Sequence, residues 1–220
     1  MTDRQSQQCS TSVQQAADMQ QNPVAQYQSL MSTVRRRLDL VAALKSVNAD
    51  VFSKAESAAF HGRKVVEGIA FGCLVAAENG LRSFPGNARG QWNADRILSR
   101  LQAKRIDIFP NPSALRVPTE DERATHSVAL VIEGLPERTM THDDLRAIYA
   151  RLHKWLHEIN PYIEVDRETF VSRYEAILWG DLSKLRLLVE RHFIAIGGRG
   201  FYCTLWDSQD GSTKVLPLNK

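Results

Sequence analysis

One run of sequence limits the fold more than any other. From about Ala49 to Asn79 the chain keeps a helical rhythm without a proline. Phe52, Ala55, Ala59, Val66, Ile69, Cys73 and Ala76 recur at three- and four-residue steps and share one side of a helix. Gly80 follows in the position of a C-terminal cap. Gly62, Gly68 and Gly72 lie inside the run, and each costs a helix about 1 kcal/mol relative to alanine. Three such costs in one helix predict that other helices approach its backbone closely.

The remaining elements are read around it. Residues 1–22 are rich in Gln, Ser and Thr and nearly devoid of large apolar side chains, so they are expected to form a flexible tail. Pro23 opens a helix with Tyr27, Leu30, Val34, Leu38 and Val41 on its stripe, broken at Ser46 to Asn48. Pro85-Gly86 and Gly90 mark a loop before a short helix over Asn93–Lys104. Ile106 to Pro118, with three prolines, reads as an extended connector, and Val128–Ile132 as a short strand. Thr141 and Asp144 resemble a capping box for a helix ending near Ile159, before Asn160-Pro161. Asp166 caps a last helix to about Arg191, with Gly180 as a kink point. Three strand-like runs follow, Phe193–Ile196, Phe201–Trp206 and Thr213–Leu218, joined by turns at Gly197–Gly200 and Asp210-Gly211. The expectation is a mainly α fold. It is a single domain over 23–220, a five-helix bundle with a small C-terminal antiparallel β-meander at 193–218.

Composition removes several classes. No window approaches the roughly 18 apolar residues of a membrane-spanning helix, and the N-terminus lacks the apolar core of a secretory signal. Cys9, Cys73 and Cys203 are odd in number and far apart, which argues against a disulfide framework or a zinc knuckle. The chain is expected to be cytoplasmic and to avoid the membrane. A phosphate-binding lysine loop, a nucleophile elbow and a dinucleotide fingerprint are all missing, and no cofactor is implied.

The net charge of +3 conceals an uneven distribution, with arginine supplying 20 of 28 basic residues. Residues 81–116 carry a surplus of +5, including Arg82, Arg89, Arg96, Arg100, Lys104 and Arg105. Residues 117–181 carry −6. Arg96, Arg100 and Lys104 are the nominated nucleic-acid contacts. The acidic block disfavours an RNA groove on its own helices unless the basic stretch folds over them.

Chemistry concentrates between Tyr149 and Tyr162. His153 and His157 stand four apart, so a helix brings their imidazoles to one face. Lys154 follows the first histidine, no third ligand is evident, and a metal site is not expected. Arg151 and His157 form an arginine–histidine pair. Arg146 with His153 and Arg186 with His192 have comparable spacing. Six residues along a straight helix leave two side chains about 120° apart, so joint action of Arg151 and His157 requires a bend or a second copy.

In this place, and in the long helix carrying Phe60-His-Gly-Arg-Lys-Val-Val-Glu67, residues 30–192 resemble the helical HEPN-type domains. Many of these are metal-independent ribonucleases of toxin and phage-defence systems. The resemblance implies RNA as partner, a homodimer with paired sites, Arg151 steadying phosphate and His157 moving the 2′-hydroxyl proton. Arg63, Glu67 and His153 would act in support. Leu152 follows Arg151, where that family usually carries a polar residue. The alternative function is a non-catalytic protein-interaction module, in which the His153/His157 face would be packed rather than exposed.

Overall fold

In the computed structural model, which describes residues 22–81, 90–126, 128–158, 162 and 166–219, the glycine-bearing run is a helix of 30 residues. The expected tail up to residue 21, Cys9, Arg82, Arg89, Pro85-Gly86, Ile159 and Asn160-Pro161 lie outside the described residues. Helix α1 is Pro23–Leu44, with the Asn22 side chain accepting from the Val24 and Ala25 amides. Helix α2 is Val51–Gly80, capped by Asp50, and α3 is Ala94–Ala103, capped by Asn93. After strand β1, Asn111–Arg116, come helix α4, Glu120–His126, and strand β2, Val131–Gly134. A 3-10 turn at Pro136–Arg138 leads into α5, His142–Lys154, and then α6, Arg167–Val189. Strands β3, Arg191–Ile196, β4, Arg199–Thr204, and β5, Lys214–Asn219, end the described chain.

The fold is mainly helical, as expected, but two details change. There are six α-helices among the described residues rather than five. The extra one, α4, opens on Glu120, Asp121 and Glu122 and has no apolar stripe that could announce it. The C-terminal strands form a meander, yet they belong to a five-stranded antiparallel sheet in the order β2-β1-β3-β4-β5. The connector rich in proline supplies β1, whose Asn111 and Pro112 pair with β3 while Ser113–Arg116 pair with β2. Pro112 inside this strand, with Pro110 and Pro118 beside it, hides it from a reading based on alternation. The expected strand at Val128–Ile132 is shifted, to Val131–Gly134.

The glycines of α2 do what the long helix requires. A Cβ on Gly68 would sit 2.5 Å from Val34 Cγ2, and one on Gly72 would sit 3.2 Å from both Tyr27 and Met31. These two glycines therefore let α1 lie close along α2. On Gly62 a Cβ would overlap Leu182 of α6 and press on Leu152 of α5. The three sites bring three helices onto one backbone. At the end of α2, Gly80 meets the backbone of Ile196, and the following two-residue turn uses Gly197 and Gly198 at φ of 60° and 82°. One apolar cluster runs from Tyr27 through Ile69, Leu98, Leu152 and Leu185 to Phe201 and Val215. Among the described residues no helix is long and apolar enough to cross a membrane.

Candidate functional site

Helix α5 is the scaffold of the site. Thr141 and Asp144 close a reciprocal capping box, with the Asp144 amide donating to the Thr141 hydroxyl at 3.1 Å and the Thr141 amide donating to the Asp144 carboxylate at 2.9 Å. Leu145, Ile148, Tyr149 and Leu152 bury its inner face. The helix ends at Lys154, earlier than the sequence suggested, because Trp155 is already the C-cap and is buried against Phe52 and Phe170. His157 therefore lies beyond the helix. Even so, its Nε2 is 2.9 Å from His153 Nε2, and the two rings meet edge to face with centroids 4.3 Å apart. Both histidines are exposed.

Arg63 of α2 reaches this pair from the other side. Its Nη1 hydrogen-bonds His153 Nδ1, its Nε donates to Glu67 Oε1 at 3.4 Å, and its guanidinium carbon lies 4.5 Å from the Tyr149 ring centroid. The Tyr149 hydroxyl donates to the same Glu67 oxygen at 3.3 Å, and Lys64 Nζ donates to Glu67 Oε2 at 2.7 Å. Arginine has no acceptor, so His153 Nδ1 must accept. That leaves the His153 proton on Nε2, where it donates to His157 Nε2. The result is a directed chain, Arg63 to His153 to His157, which holds only while both imidazoles are neutral. Burial first, then Arg63 and His157, push the His153 pKa below the ordinary imidazole value.

Arg151 is held elsewhere. Its Nε and Nη2 donate to Asp181 Oδ2 and Oδ1 of α6 at 2.7 and 2.8 Å, a two-pronged pair with a carboxylate whose side chain is only 4% exposed. The Asp181 bonds raise the Arg151 pKa further. Arg151 also borders a cavity of about 280 Å³ between α5, α6 and the 3-10 turn, along with Arg138, Asp144 and Lys184. Among the described residues no hydrogen bond or ring contact joins Arg151 to His157. The nominated set is thus divided: Arg63, Glu67, His153 and His157 come together, and Arg151 faces α6.

The other arginine–histidine pairs have structural partners. Arg146 bonds Asp95 at 2.5 Å. His192 is fully buried, taking a hydrogen bond from the Tyr27 hydroxyl at 2.7 Å and donating Nδ1–H to the Val189 carbonyl at 3.0 Å. Arg96, Arg100 and Lys104 lie on the exposed outer side of α3. That helix does pack against α5, which lies within the acidic block, through Asp95 with Arg146 and Gln102 with Asp143. In the meander, Phe201 is core and stacks on Tyr27 at 4.7 Å, and Arg186 covers the half-buried Trp206. The Cys73 thiol is buried and pushed up to about 12, far from a reactive thiolate. Among the described residues no group of three or more His, Cys, Asp or Glu is arranged to hold a metal ion.

Sequence reasoning overlooked Tyr149 and Asp181. Tyr149 stands four residues before His153, a spacing that places both on one helix face and could have singled it out. Asp181 is 30 residues from Arg151 and carries no local signal. Compared with known proteins, the chain matches no family model, no curated protein and no solved structure.

Proposed function

We propose that the protein acts on RNA and cleaves it without a metal, at the cluster of Arg63, Tyr149, His153 and His157. The observation that carries this reading is the hydrogen-bonded chain from Arg63 through His153 to His157 on an exposed surface. A phosphate arriving at Arg63 would compete for its N–H groups and release the lone pair of His153 Nδ1. An imidazole with a lone pair beside a phosphate is a general base for the neighbouring 2′-hydroxyl. The 2′-oxygen would give its proton to His153 Nδ1 and attack phosphorus. The P–O5′ bond would break as His153 Nε2 passes its proton to His157 Nε2 and His157 gives its Nδ1 proton to the leaving 5′-oxygen. The products are a 2′,3′-cyclic phosphate and a 5′-hydroxyl. Arg63 offsets the charge that builds on the phosphate oxygens. Tyr149 and Glu67 act as positioning residues by holding the guanidinium.

In this reading Arg151 positions α5 against α6 rather than binding phosphate, and His157 keeps the proton-transfer role that its resemblance implies. The same reading includes a homodimer with two such clusters, which light scattering of the purified chain would register. The test is cleavage of an RNA oligonucleotide in excess chelator by wild type, His153→Ala and His157→Ala. Cleavage by the wild type with a cyclic-phosphate end, lost in both variants, is the expected result. Equal cleavage by all three, or none by the wild type, would sink it.

A further inference from the structure

Phe60, Arg63, Lys64 and Glu67 recur at three- and four-residue spacing on α2, so they share one face of that helix. Arg63 bonds His153, which fixes this stripe beside the histidine pair. Phe60 stands three residues before Arg63, about 4.5 Å along the helix axis. One helix carries both residues, and its pitch sets their separation.

The Phe60 ring is 41% exposed and yet held in place. The guanidinium carbon of Arg37, on α1, lies over it at 5.9 Å from the centroid, and the His61 ring meets it edge to face at 5.4 Å. Arg37 is itself fixed by a bond from Nη1 to His61 Nδ1 at 3.1 Å. A phenyl ring in water with a cation over it is an oriented π-surface. The charges around it suit a polyanion. Lys64 is exposed and gives one of its three N–H groups to Glu67, while Arg63 rests on neutral His153. The Glu67 carboxylate is already taken by Arg63, Lys64 and Tyr149. Glu56, one turn before Phe60 on the same stripe, is exposed and repels phosphate. A strand that passes Phe60 is therefore turned toward Arg37 rather than on along α2.

We infer that Phe60 is the base-stacking platform for an unpaired RNA strand, holding the base next to the phosphate at Arg63 while the backbone continues over Arg37. This rests on the RNA reading above. Stacking on a phenyl ring needs a free base face, which an unpaired strand offers and a duplex hides. The ring has no hydrogen-bonding group with which to read a base edge, so it accepts any base and ranks bases by stacking strength. The platform makes the cleavage centre selective for unpaired RNA.

The test compares two labelled strands of about 12 nucleotides, a 2′-O-methyl oligoadenylate and an abasic deoxyribose strand of the same length. Neither has a free 2′-hydroxyl, which separates binding from cleavage, and fluorescence anisotropy is read against salt. The wild type is expected to hold the adenylate about tenfold more tightly than the abasic strand, and Phe60→Ala to lose that difference. Phe60→Leu, which keeps an apolar side chain without a π-face, should behave like Phe60→Ala, and Phe60→Tyr should restore the preference. The combined variant Arg37→Ala, Lys64→Ala should lower the salt slope of log affinity by about 1.4 on both strands. Thermal melts of the ring variants matching the wild type would show that they are folded. Equal wild-type binding of the two strands, or a preference that survives both Phe60→Ala and Phe60→Leu, overturns the platform and leaves the RNA reading standing. Absence of wild-type binding to either strand at low salt, with absence of cleavage, removes both.

Discussion

Arg63 and Arg151 both border helix α5, and they are held in opposite ways. Arg63 is 22% exposed and leans on neutral groups, the His153 imidazole and the Tyr149 ring, with one long contact to Glu67 at 3.4 Å. Arg151 is locked by two short bonds to the buried carboxylate of Asp181. A guanidinium that neutralises a buried anion cannot leave without exposing an unpaired charge in the interior. One that rests on a neutral imidazole can turn to a phosphate at little cost. The resemblance nominates Arg151, and the partners each arginine finds in space favour Arg63.

The largest effect should separate the two arginines by function. Arg63→Ala is expected to slow RNA cleavage by about 10²–10³-fold, the usual loss when a charge-stabilising donor is removed. The fold should remain intact. Arg151→Ala should leave the rate per folded molecule near that of the wild type. In the wild type, the acid limb of kcat/KM should lie below the ordinary imidazole value, because His153 is pushed down by burial, Arg63 and His157. Loss of cleavage in Arg151→Ala at an unchanged melting temperature would reverse the assignment.

The next effect separates them by stability. Arg151→Ala strands the Asp181 carboxylate and is expected to cost about 3 kcal/mol. In a chain of this length that lowers Tm by about 10 °C. Asp181→Asn keeps the shape and removes the charge, so it should cost less. Thermal melts of the two variants check the order, and a larger loss in Asp181→Asn would mean that burial of the charge is not what holds the pair.

These contrasts also mark what was legible in the sequence. The helices with a clean apolar stripe, α1, α2 and α3, could be read because one periodicity dominates each. The close approach at Gly62, Gly68 and Gly72 could be read from the cost of glycine alone. Helix α4 and strand β1 could not, since one has no apolar face and the other sits among prolines whose lost N–H groups normally speak against pairing. In the site, Arg63 with Glu67 and His153 with His157 could be singled out because each pair stands four residues apart; one turn of α2 joins the first pair, whereas the second meets across the end of α5. Asp181 was not, because the bond that decides the role of Arg151 crosses from one helix to another.

A buried histidine sharpens the comparison at a similar scale. His192 is buried between Tyr27 and Val189, and burial pushes its pKa down to about 4. Between that value and the ordinary 6.5 the unfolded chain binds a proton that the folded chain refuses. Stability is therefore full above about pH 6.5 and falls as the pH drops toward 4, by up to about 3 kcal/mol. Denaturant titrations at pH 7 and pH 4 measure the difference. His192→Gln, which keeps an acceptor for Tyr27 without titrating, should flatten that step, and an unchanged step would place the acid sensitivity in other groups.

The smallest expected effect bears most directly on how Arg63 is held. Glu67 accepts from Arg63, Lys64 and Tyr149, but the lysine and arginine contacts are helix-surface pairs. Pairs of that kind contribute a few tenths of a kcal/mol each. Glu67→Gln retains an oxygen for the Tyr149 hydroxyl, so its cost should stay below about 1 kcal/mol, a shift in Tm of only about 3 °C. A small shift means that Arg63 is oriented rather than anchored, as release to a phosphate requires. A loss as large as that of Arg151→Ala would make Glu67 the equal of Asp181, and Arg63 as locked as Arg151.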